Sequence, residues 1–154
     1  MRKERFEKKL GKLKMTITEM TIDNYDEVMS LWKNSDGVGL DKDTDTKPRT
    51  SLYLQRNPGL SFVALDKKRI VAAVLCGHDG RRGYMHHLAV SRDYQKTGIG
   101  RALVERVLGK LRQIGIRKCN IHVFDSNEKA KDFYKSLGWE ERDNLKVTSK
   151  SITF

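Results

Sequence analysis

Six residues, Gln95-Lys96-Thr97-Gly98-Ile99-Gly100, constrain the fold of this chain more than any other stretch. They stand between an apolar strand pattern and a long amphipathic helix pattern. Upstream, Tyr84 to Val90 reads as a strand of a half-buried sheet. Downstream, Ile99, Leu103, Val107, Leu111 and Ile114 recur at helical spacing, and Gly115 is placed as the C-cap. A glycine-rich turn at a helix start leaves several N–H groups without acceptors, and the helix dipole reinforces them. Glycine also lets an anion approach the main chain closely. The stretch therefore reads as a main-chain grip for a phosphorylated ligand.

Two common phosphate loops do not fit. A Walker A loop requires Gly-Lys followed by Ser or Thr, and here Arg101 and Ala102 follow Gly100. A dinucleotide fingerprint needs a third glycine where this chain has Leu103. The spacing does resemble the Gln/Arg-x-x-Gly-x-Gly/Ala signature of the GNAT family of N-acetyltransferases, whose loop holds the pyrophosphate of acetyl-CoA. An ordinary strand-to-helix turn can produce the same glycine pattern.

A second segment carries the resemblance further. Residues 127–139 match the closing pattern of that family, Asn-x-x-Ala-x-x-Phe/Leu-Tyr-x-x-x-Gly-Phe/Trp, with Asn127, Ala130, Phe133, Tyr134, Gly138 and Trp139. Ala130, Phe133, Tyr134 and Leu137 form one apolar helical stripe, and Gly138 ends it. Asn127 and Tyr134 stand two turns apart on nearly the same side. The resemblance covers 15–154.

The chain has 154 residues, enough for one domain with its own core. No apolar run approaches membrane-spanning length and no secretory leader is recognisable, so the expected location is cytoplasmic. Cys76 and Cys119 lie singly in apolar strand patterns without CxxC spacing, and read as buried reduced thiols rather than a disulfide. The net charge is +11, of which residues 1–14 supply +5. That segment is expected to be a basic, mobile tail preceding a domain at 15–154. The positive charge suits steering of a polyanionic cofactor, or solubility; nucleic acid is the weaker reading because acids are interleaved along most of the chain.

Periodicity and turn residues predict a strand from Met15 to Met20, a helix from Asp23 or Asn24 to Lys33, and a loop from Asn34 to Lys47. A helix at Arg49 to Arg56 follows, then strands at Leu60 to Leu65, Arg69 to Gly77 and Tyr84 to Val90. After the long helix come a strand at Lys118 to Phe124, the Asn127 helix, and closing strands at Trp139 to Asn144 and Leu145 to Phe154. The fold class is α/β (α+β). The resemblance implies the GNAT acyl-CoA N-acyltransferase fold, a mixed, mostly antiparallel sheet whose fourth and fifth strands splay apart, with helices on both faces.

The same resemblance implies a site. Acetyl-CoA, the cosubstrate, would pair its pantetheine arm with free main-chain groups of Leu88, Ala89 and Val90. Its pyrophosphate would sit on Gln95, Lys96, Thr97, Gly98, Ile99, Gly100 and Arg101. Gln95 stands where many relatives have Arg, and Lys96 and Arg101 can supply the missing charge. Asn127 is either a pantetheine contact or a helix cap, and the two roles are compatible. Tyr134 is the candidate acid for the departing thiolate, against the plainer reading of a core aromatic.

For the base, His122 falls on the fifth strand at the place where some relatives carry Glu, and its ordinary pKa suits the task. His86 and His87, as neighbours on one strand, are expected to point to opposite faces, so that at most one reaches the cleft. Water is a further option. Metal binding is not expected. Asp36, Asp41, Asp43 and Asp45 lie in the loop that covers the acceptor side in the family, where they either attract an amine cation or are simply solvated.

The implied activity is direct transfer, in a ternary complex, of an acetyl group to a primary amine of a small molecule, peptide or protein. A homodimer is one arrangement open to it. The rivals are a noncatalytic CoA-binding module and a basic nucleic-acid-binding protein.

Overall fold

Apolar runs from Phe62 to Leu65 and from Ile70 to Cys76 build the centre of a five-stranded sheet whose strands lie side by side in chain order. The computed structural model describes residues 15–154; the basic segment 1–14 lies outside the described residues. The described residues up to His122 form one compact unit and Val123–Phe154 a second.

In the first unit, β1 (Met15–Glu19) leads through a 3-10 turn into α1 (Tyr25–Lys33) and α2 (Lys47–Arg56). The strands β2 (Phe62–Asp66), β3 (Arg69–His78) and β4 (Gly83–Val90) follow, then α3 (Ile99–Gln113) and β5 (Cys119–Ile121). Strands β1 to β4 pair antiparallel and β5 pairs parallel to β4. A parallel neighbour requires a crossover, and α3 supplies it. Helix α2 starts two residues earlier than its periodicity predicts. Thr46 caps it by accepting the Arg49 N–H at 3.4 Å, and Pro48 occupies the first turn, where its missing N–H costs nothing.

Helices cover both faces of the sheet. A Cβ built on Gly77 would lie 2.7 Å from the Tyr53 hydroxyl of α2, and one on Gly83 would lie 2.6 Å from Leu111 Cδ1 of α3. His78 pairs with Gly83, so Gly77 and Gly83 face opposite ways. Strand β3 is buried from Ile70 to Gly77. Val28 and Trp32 of α1 pack with Val63, Ala73, Leu75 and Ala89 on the α1–α2 side. On the α3 side Cys76 and Cys119 are free thiols, Cys76 Sγ donating to the Gly77 carbonyl at 3.6 Å and Cys119 Sγ to the Asn120 carbonyl at 3.7 Å. The neighbouring Cys119 and burial push the Cys76 thiol up, while the neighbouring Cys76 lowers Cys119.

The second unit is built on α4 (Glu128–Ser136). Two expectations need correction. The strand predicted at Lys118 to Phe124 is only Cys119–Ile121, and no strand forms at Trp139 to Asn144 or Leu145 to Phe154. A strand needs a partner edge, and the second unit contains no other strand to provide one. Leu145, Val147, Ile152 and Phe154 are accordingly exposed. Their alternation with polar residues resembles a strand signal without the pairing that would realise it.

Candidate functional site

The strand-to-helix turn is held from beneath. Tyr94 donates its hydroxyl to Asp66 at 2.5 Å and accepts from Arg69 Nη2 at 3.2 Å, which ties the turn to the β2–β3 hairpin. Thr97 donates its hydroxyl to the Tyr94 carbonyl, and Gln95 Nε2 donates to the Val90 carbonyl at 3.1 Å. Gly98 then takes φ +93°, a conformation that favours glycine, and Ile99 plugs into the core. The first bond of the helix runs from Ala102 N–H to the Gly98 carbonyl at 3.0 Å. The N–H groups of Ile99, Gly100 and Arg101 thus emerge at the helix start with no main-chain acceptor among the described residues. These donors and the dipole behind them suit an anion. Arg101 also pairs with Glu105 at 3.1 Å, so part of its charge is already engaged; Lys96 is exposed.

Beside the turn, β4 has an open edge. Its ladder with β5 runs from Gly83–Cys119 to Met85–Ile121 and stops, so the two strands part beyond Met85. On its other side Ala89 and Val90 pair with Ala73 and Ala72, while His87 and Leu88 together face one residue, Val74. This is a β-bulge, and His87 within it takes φ +53°. Only Lys67, His87 and Lys96 among the described non-glycine residues have positive φ, and two of the three flank this open edge and turn.

The bulge overturns the expected alternation of the two histidines. The rings of His86 and His87 lie 6.3 Å apart, centroid to centroid, on the same side of the sheet. His86 stands edge-on to Tyr53 at 6.2 Å, and His87 edge-on to Trp32 at 5.0 Å. Burial, then the neighbouring His87 and His122, lower the pKa of His86. His122, exposed just beyond β5, is therefore within electrostatic reach of this pair.

The acidic loop also behaves differently from a merely solvated one. Asp45 Oδ1 lies 2.9 Å from His87 Nε2, with the side chains only 14% and 16% exposed. Asp45 Oδ2 accepts the Asp41 N–H at 2.7 Å, and the Asp45 carbonyl accepts the Tyr25 hydroxyl at 2.6 Å. Asp41 accepts from Asp43 N–H, Thr44 N–H and the Thr44 hydroxyl, which hold its carboxyl below the ordinary range. Asp45 was not singled out by sequence reasoning from its three acidic neighbours. It lies 42 residues from His87, and no local pattern links them.

In the second unit, Asn127 caps α4 by accepting the Ala130 N–H at 3.0 Å. Tyr134 is 7% exposed and stands edge-on to Phe133 at 5.0 Å and to Trp139 at 5.2 Å. Among the described residues no group of three or more metal-binding side chains is gathered.

The family model described as the acetyltransferase (GNAT) family matches residues 25–139. The chain belongs to the GNAT family. An acetyltransferase of Sodalis glossinidius is 30% identical over 138 residues, covering 90% of this chain and 96% of that protein. An uncharacterised N-acetyltransferase of Yersinia pestis is 32% identical over 130 residues, covering 84% and 91%. Among solved structures, an N-acetyltransferase of Thermoplasma acidophilum in complex with coenzyme A superposes with TM-score 0.75 at 15% identity, over 84% of this chain and 91% of that one. This GNAT protein is thus an acyl-CoA-dependent N-acetyltransferase, and its mixed sheet with parting fourth and fifth strands is the GNAT fold. Among the described residues no helix is long and apolar enough to cross a membrane.

Proposed function

We propose that this GNAT protein transfers the acetyl group of acetyl-CoA to a primary amine, by direct transfer within a ternary complex in the cytoplasm. The observation that carries the reading is the continuity of the open β4 edge beyond Met85 with the free N–H groups of Ile99, Gly100 and Arg101. The residues present fit a coenzyme with a pyrophosphate and an amide-bearing arm. Gln95 to Arg101 would hold the pyrophosphate, and the main chain of Leu88, Ala89 and Val90 would pair with the arm as an added strand. When bound, acetyl-CoA supplies an activated acetyl thioester.

The protein's own side chains divide the proton work. Tyr134 donates its phenolic proton to the departing thiolate, a role supported by its place in the Asn127–Trp139 motif. Asn127 caps its helix and is the proposed contact to the arm. The amine gives up a proton to the group formed by His86, His87 and His122, or to water held there. Direct transfer is supported by the state of the cysteines. Cys76 is fully buried and Cys119, half-buried, donates its thiol to the Asn120 carbonyl, so neither is presented as an acyl carrier.

The test is release of free CoA thiol from acetyl-CoA with spermidine, kanamycin or short peptides bearing a free α-amino group. Amine-dependent release, with mass-detected acetylation of the amine, is expected. Tight binding of acetyl-CoA without release to any amine would favour the noncatalytic module instead.

A further inference from the structure

The three histidines are not equivalent, and geometry singles out one. We propose that His87, oriented by Asp45, is the base that takes a proton from the amine acceptor. This rests on the acetyl-transfer reading above.

The tautomer follows from the partners. An ionised carboxylate only accepts, so Nε2 of His87 carries the hydrogen that lies between it and Asp45 Oδ1 at 2.9 Å. Nδ1 is then the lone-pair nitrogen, and no group among the described residues bonds to it. Asp45 is itself immobilised through its second oxygen by the Asp41 N–H, and through its carbonyl by Tyr25. Its carboxylate is thereby committed to the imidazole rather than offered to a substrate cation. The carboxylate thus fixes which ring nitrogen carries the hydrogen and which way the imidazole is turned.

The main chain supports the same assignment. His87 holds a left-handed backbone that costs a non-glycine residue free energy, inside a bulge at the point where β4 loses its β5 partner. Trp32 Nε1 donates to the His87 carbonyl at 2.8 Å and the indole ring packs edge-on against the imidazole, which fixes the ring from a second side. His86 has no hydrogen-bonded carboxylate among the described residues, and burial presses it toward its neutral form against the pull of Asp45. His122 is exposed and has no orienting bond among the described residues. The titratable groups facing His87 are Asp45 of the loop and His86 of β4; Asp41 and Tyr25 stand behind Asp45, and His122 and Tyr53 next to His86.

The step balances. Nδ1 takes one proton from the ammonium form of the acceptor and passes it to water. The freed amine forms the C–N bond as the C–S bond breaks. The thiolate receives the Tyr134 proton, which is replaced by the second proton leaving nitrogen. The sum is ammonium plus thioester giving amide, thiol and one released proton.

The experiment compares wild type with His87→Gly, Asp45→Asn and His122→Gln, using whichever of spermidine, kanamycin or free-amine peptide wild type acetylates fastest. Glycine accepts the backbone of residue 87, so His87→Gly removes the ring alone. In His87→Gly the acetyl-CoA Kd should stay within about threefold while kcat falls about 100-fold or more. Added imidazole should restore turnover, and more basic imidazoles should restore more. In Asp45→Asn the amide can turn its NH2 toward Nε2 and favour the tautomer that carries the hydrogen on Nδ1, so kcat should fall about tenfold or more while the acetyl-CoA Kd stays within about threefold. That split between kcat and Kd decides the matter if His87→Gly does not fold. Full turnover in His87→Gly, an unchanged kcat in Asp45→Asn, or a loss confined to His122→Gln would overturn the assignment. Wild type that releases no thiol with any of these amines would instead sink the acetyl-transfer reading, and the base with it.

Discussion

The indole N–H of Trp32 donates to the main-chain oxygen of His87 at 2.8 Å, joining the last turn of α1 to the bulge of β4. Trp32 is 1% exposed, so its indole N–H has no solvent partner and depends on this bond. Trp32→Phe keeps an aromatic ring but removes the donor. It should lower stability by about 1–3 kcal/mol, read as a fall in denaturant midpoint with an unchanged slope. An unchanged midpoint would mean that the bulge is held by the strand ladder alone.

His86 gives the fold a pH dependence. Burial, His87 and His122 hold its folded pKa below the ordinary value near 6.5, so the unfolded chain binds the proton more readily. The stabilising contribution is complete above about pH 6.5 and is lost as pH falls through the folded value. Denaturant midpoints measured from about pH 7.5 down to pH 5 should therefore drop more steeply in wild type than in His86→Phe. Parallel curves would assign the acid sensitivity to other groups.

The sequence made the core of this design readable where local physics decides it. The turn at Gln95 to Gly100 and its helix are fixed by glycine placement and by the Ile99, Leu103, Val107 and Leu111 stripe, and they form where expected. The same holds for the Asn127 cap. Distant pairing was not readable. The period-2 rule placed His86 and His87 on opposite faces, but one extra residue in β4 turned both to one side. The loop carboxylates looked interchangeable, and only the fold brings Asp45 rather than Asp43 to His87. The alternating residues after Trp139 form no strand, because alternation supplies a face and not a partner.

Gly98 holds a left-handed backbone, and in the proposed site it also lets an anion approach the main chain. Gly98→Ala should weaken acetyl-CoA binding at least about tenfold by calorimetry, with the helical signal in circular dichroism retained. Wild-type affinity would remove this turn from the proposed cofactor site.

Tyr134→Phe keeps the packing against Phe133 and Trp139 while removing the proposed proton donor. Turnover should fall by about 10- to 1000-fold with little change in acetyl-CoA affinity, and the alkaline side of the pH profile should change. Full turnover would leave Tyr134 as a core aromatic and return the proton to water.

Main-chain capture of the coenzyme is the centre of the proposed function, and backbone amide NMR of the wild-type protein reads it without any substitution. On titration with CoA, the largest shifts should fall on the amides of Ile99, Gly100 and Arg101 and on Leu88 to Val90, the helix start and the open edge of β4. Shifts that leave these residues unmoved while CoA binds elsewhere on the protein would contradict it.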